Sequence, residues 1–175
     1  MDMTRERKLI ITVVSVTISL IVIFPLDGYK YTYGWYGELE LQIYIDDTVL
    51  TLGLDNSFNA TYVLKNIGKT TVRVLPFSVN FSPHAYYPNG SAVRFNGSIG
   101  GAAIFTDHDL IEIHPGKKIQ YCYQFSFLRW DFSTLGNYSV DGVYFSHRSN
   151  RDSITLPIWE GRLTSSSADL RIEAP

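Results

Sequence analysis

Cysteine is nearly absent from these 175 residues: Cys122 stands alone, so no intrachain disulfide can form. A domain of this length can bury enough surface without one. Methionine is as scarce, at Met1 and Met3 only, and no histidine follows Cys122 closely. A copper site of two histidines, a cysteine and an axial methionine therefore cannot be assembled. Basic residues are not in excess: 15 Lys plus Arg meet 17 Asp plus Glu, at a pI near 6.0 and with no basic stripe, which argues against nucleic acid as a partner. G-x-S-x-G is missing. Beyond residue 26 there is no capped helical pattern of sustained period and no internal repeat. With no catalytic constellation and no cofactor motif, the chain reads as non-enzymatic.

What is present begins with an uncharged apolar run, Leu9 to Leu26. Eighteen residues at the helical rise span about 27 Å, enough for a thin hydrocarbon core. Arg5, Arg7 and Lys8 precede the run, whereas Asp27 follows it. The expected organisation is a cytoplasmic tail at 1–8, a retained transmembrane anchor at 9–26 and an extracytoplasmic domain at 27–175. A cleaved secretory signal is the rival reading, but the run is long and ends in Phe24-Pro25-Leu26 rather than a small-x-small site. Tyr29, Tyr31, Tyr33 and Trp35 alternate just beyond it, as a first strand or an aromatic belt at the headgroups would. Thr12, Ser15 and Ser19 fall near one face of the run, where a second membrane helix could pack.

Five of the eight asparagines lie in N-x-[ST] sequons, all beyond the apolar run: Asn59, Asn80, Asn89, Asn96 and Asn137. They predict N-linked glycans on an exported surface, with Asn59, Asn89, Asn96 and Asn137 exposed.

The rest of the chain alternates with the period of strands. Leu39, Leu41, Ile43 and Ile45 form one apolar face, and Phe58, Ala60, Tyr62 and Leu64 another. Thr70 to Phe81 reads as a strand interrupted at Pro76. Pro88-Asn89-Gly90 marks a hairpin turn between Tyr86-Tyr87 and Val93-Phe95. Ile119, Tyr121, Tyr123, Phe125 and Phe127 give the clearest alternation, expected to be a central strand with Cys122 a small buried hydrophobe. Short strands at intervals of about ten residues predict an all-β, antiparallel sandwich of immunoglobulin-like build, with seven to nine strands in two sheets. Tyr62, Leu64, Tyr123, Phe125, Tyr138 and Val140 are its expected inward residues. Leu135-Gly136-Asn137-Tyr138-Ser139-Val140 carries the pattern of a tyrosine corner.

The stretches Tyr62 to Gly68, Tyr87-Pro88-Asn89-Gly90, Ile113 to Lys117 and Gly136 to Val140 together resemble prokaryotic, archaeal-type extracytoplasmic immunoglobulin-like modules. They are similar, more distantly, to the bacterial intracellular proteinase inhibitor domain family. The resemblance covers residues 58 to 145 and implies a β-sandwich that binds proteins or inhibits a protease. No inhibitory loop is carried over onto particular residues.

Candidate chemistry is sparse. Asp107-His108-Asp109, Glu112 and His114 form the densest group of metal-ligating types; His108, Glu112 and His114 would share one face of a strand. The competing reading has the two aspartates opening a strand and His114 in a Pro-Gly turn. Ser165-Ser166-Ser167 reads as a loop or bulge. The function expected is that of a single-pass cell-membrane protein whose extracellular sandwich contacts other membrane or cell-surface proteins, in a surface assembly or as an accessory subunit. A tethered protease inhibitor and a metal-binding or enzymatic ectodomain are the alternatives.

Overall fold

A computed structural model describes residues 38–77, 79–97, 103–149 and 152–175. The expected tail, anchor and aromatic belt lie outside the described residues; no helix among those described is long and apolar enough to cross a membrane. The described chain is all-β.

Ten strands form: β1 (Leu39–Ile45), β2 (Val49–Thr51), β3 (Ser57–Asn66), β4 (Val72–Val74), β5 (Phe81–Tyr86), β6 (Ile111–Ile113), β7 (Lys118–Ser126), β8 (Gly136–Ser146), β9 (Gly161–Thr164) and β10 (Ala168–Glu173). One sheet runs β1-β3-β7. The second runs β2-β10-β8-β5, with β9 also on β8, and β4 pairs with β6 alone. All pairs are antiparallel except β2–β10. The expectation of seven to nine antiparallel strands in two sheets is thus corrected by a parallel pair and a separate small ribbon.

The alternation read from the sequence is what closes the core. Leu39, Leu41 and Ile43 of β1, Phe58, Ala60, Tyr62 and Leu64 of β3, and Phe125 of β7 share one apolar cluster with Ala85, Tyr138, Val140, Tyr144, Leu170 and Ile172 of the other sheet. Two sheets packed face to face bury alternate residues of each. Five of the six expected inward residues are fully buried, and Tyr123 is half-buried against the same cluster. Tyr62 also ties the sheets directly, donating its hydroxyl to the Asp141 carbonyl at 3.0 Å. Burial, then the nearby Asp141 and Tyr123, push that phenol far above its ordinary pKa, so it remains a donor. Gly142 makes room for this contact: a Cβ there would stand 2.5 Å from the rings of both Tyr62 and Phe81.

The tyrosine corner forms. Tyr138 Oη donates to the Thr134 carbonyl at 2.6 Å and accepts from the Thr134 N–H at 3.1 Å. The predicted hairpin turn forms too: Gly90, at φ 81°, donates to Tyr87 O, and Val93 N–H reaches Ala85 O at 2.8 Å. Three expectations change. The stretch from Thr70 to Phe81 is not one strand, because β4 stops at Val74 and the chain turns before β5 begins at Phe81. Among the described residues β7 is an edge strand rather than a central one, since β3 holds the middle of that sheet. Cys122 is exposed on the outer face of β7, not buried.

Candidate functional site

The group weighed as an alternative metal site, Asp107-His108-Asp109 with Glu112 and His114, does not assemble as one. Asp107 accepts from Thr155 N–H at 2.9 Å, from Leu156 N–H at 3.0 Å and from the Thr155 hydroxyl, clamping the 155–156 segment. Asp109 accepts from both the N–H and hydroxyl of Thr106 at 2.8 Å, closing a single 3-10 turn. These bonds hold both carboxyls below their ordinary pKa range. Glu112 pairs with Arg73 at 2.7 Å across β4–β6, and His114 meets the Thr71 hydroxyl at 2.9 Å. Among the described residues, no three His, Cys, Asp or Glu stand close enough to hold a metal.

Four of the five sequon asparagines have access to solvent. Asn89, Asn96 and Asn137 are exposed, and Asn59 is half-exposed on the outer face of β3. Asn80 departs from the expectation. It is 7% exposed, its amide nitrogen points to the Pro76 carbonyl at 3.4 Å, and its own carbonyl takes the Phe145 N–H at 2.9 Å. The folded domain does not present that sequon.

A triad-like row that was not anticipated lies on the outer face of β5 and β8. Ser82 Oγ is 3.1 Å from His84 Nε2, and His84 Nδ1 is 3.0 Å from Asp141 Oδ1. With the proton on Nδ1, His84 donates to Asp141 and accepts from Ser82, which satisfies all three groups. The order matches a charge relay, but acyl transfer also needs donors for the developing oxyanion. Asn80 O bonded to Phe145 N–H sets the ladder so that the even-numbered residues of β5 turn their backbone toward β8. Ser82 N–H is therefore spent in the ladder, and the next residue, Pro83, has no N–H. The nucleophile's own strand supplies no oxyanion hole. The row is read as a cross-strand polar tie, 57 residues apart in sequence. Only the S-x-H spacing of a strand face was legible beforehand.

A shallow cavity of about 310 Å³ beside the tyrosine corner is lined by Tyr87, Pro88, Asn89, Ser91, Thr134 and Leu135. It carries no carboxylate, histidine or thiol.

The edge of β7 offers more. Phe127 N–H bonds to Asn56 O, and Asn66 N–H to Lys117 O, at the two ends of the β3–β7 ladder. Strict alternation between them turns the odd-numbered backbone of β7 toward β3 and the even-numbered backbone outward. Lys118, Gln120, Cys122 and Gln124 thus present N–H and C=O along an open edge, with which no strand among the described residues pairs; at its far end the Ser126 carbonyl is taken by the Arg129 and Trp130 N–H groups at 2.9 Å. Gln120, Cys122 and Gln124 are also exposed on the outer face. Ile119, Tyr121 and Tyr123 beneath them are only half-buried.

No protein-family model and no curated protein matches the chain significantly. Solved structures do, at low similarity. A CARDB domain from Pyrococcus furiosus, in complex with di-metal ions, is 10% identical over 78% of this chain and 94% of its own, with a TM-score of 0.38. The sporulation control protein Spo0M of Bacillus subtilis is 14% identical over 79% of this chain and 51% of its own, at 0.43. The alkylpurine DNA glycosylase AlkC of Pseudomonas fluorescens, bound to abasic-site DNA, is 13% identical over 81% of this chain and 32% of its own, at 0.41. The chain thus spans about half of Spo0M and a third of AlkC. These likenesses carry no functional argument.

Proposed function

We propose that this chain is a non-enzymatic, single-pass membrane protein whose extracytoplasmic, immunoglobulin-like sandwich makes protein–protein contacts, in a cell-surface assembly or as an accessory subunit of a membrane complex. The observation that carries the binding role is the open edge of β7, with outward backbone donors and acceptors from Lys118 to Gln124. Strand addition to such an edge gives affinity through main-chain bonds and specificity through alternate side chains. The anchor and the sequons, read from the sequence, support the location.

Two experiments test this reading. Protease applied to intact cells should remove the domain and leave the peptide beginning near Met1; a mature N-terminus near residue 27 refutes the anchor. A pull-down from detergent-solubilised membranes should retain a stoichiometric protein partner that is lost with Gln120→Pro, which removes an outward N–H without touching the β3 ladder. Retention of the partner by that variant would exclude the edge as the contact.

A further inference from the structure

We infer that the occupant of the β7 edge is the same edge of a second copy, paired antiparallel about a two-fold axis through Cys122. This rests on reading the edge as the docking surface. The strand is symmetric in register. Cys122 is the midpoint of Lys118–Ser126, so a two-fold there sets Cys122 opposite its counterpart, Gln120 opposite Gln124, Tyr121 opposite Tyr123, and Lys118 opposite Ser126. Isologous contact demands this self-complementarity.

Backbone polarity agrees with that register. Cys122, Gln120 and Gln124 all have outward N–H and C=O groups, so each facing pair exchanges both of its hydrogen bonds, as hydrogen-bonded antiparallel pairs do. Side chains agree as well. The one charge of the strand, Lys118, falls opposite a serine and not opposite another lysine, and the glutamine amides face each other as donor and acceptor. The half-buried Ile119, Tyr121 and Tyr123 gain cover from the same residues of the second copy, in a continuous six-stranded sheet built from two sheets of three. Natural edges avoid such pairing with proline, bulges, inward-pointing charge or a covering loop. Among the described residues none of these interrupts β7 from Ile119 to Gln124, the span that carries the three central pairs; beyond it the Arg129 and Trp130 N–H groups cap the Ser126 carbonyl and end the pairing.

Sedimentation of the full chain in detergent, with cross-linking by a short bismaleimide at its single cysteine, tests the pairing. The expected result is a dimer cross-linked through Cys122. Gln120→Lys with Gln124→Lys puts lysine opposite lysine twice and should weaken the dimer roughly tenfold, at unchanged melting temperature. Gln120→Lys with Gln124→Glu puts opposite charges in the same positions and should restore it. A monomer at about 100 µM, or a cross-link indifferent to both variants, overturns the inference. A monomeric chain that still captures a different protein through this edge defeats the second copy alone and leaves the binding role standing. If Gln120→Pro releases nothing and the lysine pair changes nothing, both readings fail.

Discussion

The edges of β5 and β7 flank the same aromatic seam, where Phe77, Phe81 and Tyr121 meet at centroid distances of 5.5 to 5.7 Å. Their exposure to other chains is opposite. β5 carries Pro83 at an outward-facing backbone position, and Val93 N–H occupies the outward carbonyl of Ala85. β7, half as long again, has no proline, bulge or covering loop over its outward positions from Lys118 to Gln124 among the described residues, and only the Ser126 carbonyl at its end is capped, by the Arg129 and Trp130 N–H groups. One edge is blunted by local chemistry and the other left open. Two strands of similar apolar content therefore differ in what they can bind, because of where donors point and not because of hydrophobicity.

The largest effect expected tests β7 as a wall of the core. Phe125 is fully buried and stacks on Phe58 at 4.8 Å. Phe125→Ala should cost about 3–5 kcal/mol in denaturant unfolding, whereas its neighbour Gln124→Ala should stay within about 0.5 kcal/mol. Equal losses would break the one-sided reading of this strand. On the β5 side, Gly142→Ala forces a methyl against Tyr62 and Phe81 and should cost roughly 1–3 kcal/mol. Tyr138→Phe should cost about 1 kcal/mol or somewhat more, because the Thr134 carbonyl loses its donor.

Pro83→Val sharpens the comparison. It restores an outward N–H at the blunted edge, so stability should barely move while concentration-dependent association rises in light scattering. The smallest effect is a pH response away from both edges. The Asp107 carboxyl is held below its ordinary value of 3.8, first by the Leu156 backbone bond and then by Thr155. Its contribution is present above 3.8 and lost as pH falls through the lower folded value. Amide exchange at Thr155 and Leu156 should accelerate only below that point; acceleration near pH 6 would assign the clamp to another group.

The period-two pattern made the strands and most of the core legible, since burial of alternate residues is a local property of a strand. The tyrosine corner was legible for the same reason: Tyr138 and Thr134 are four residues apart. Placement within a sheet was not. Whether β7 is central or an edge depends on partners scores of residues away, and whether its Cys122 face is covered depends on what packs outside the sheet. The Ser82–His84–Asp141 row escaped because its two halves meet only through the β5–β8 register. Asn80 satisfies the sequon pattern, yet the turn into β5 folds it inward, which no tripeptide rule can detect.

The lone parallel pair has a mechanical meaning. Val49, Leu50 and Thr51 of β2 run alongside Arg171, Ile172 and Glu173 of β10, in the same direction. Tension applied between residues 49 and 175 pulls these strands along their axes in opposite senses. Their hydrogen bonds are then loaded together in shear and must fail as a group, whereas an antiparallel hairpin peeled from its end yields one pair at a time. A domain held at residue 49 and pulled through its last strand would load this short clasp in shear, whereas a pull from residue 38 first engages the β1–β3 ladder.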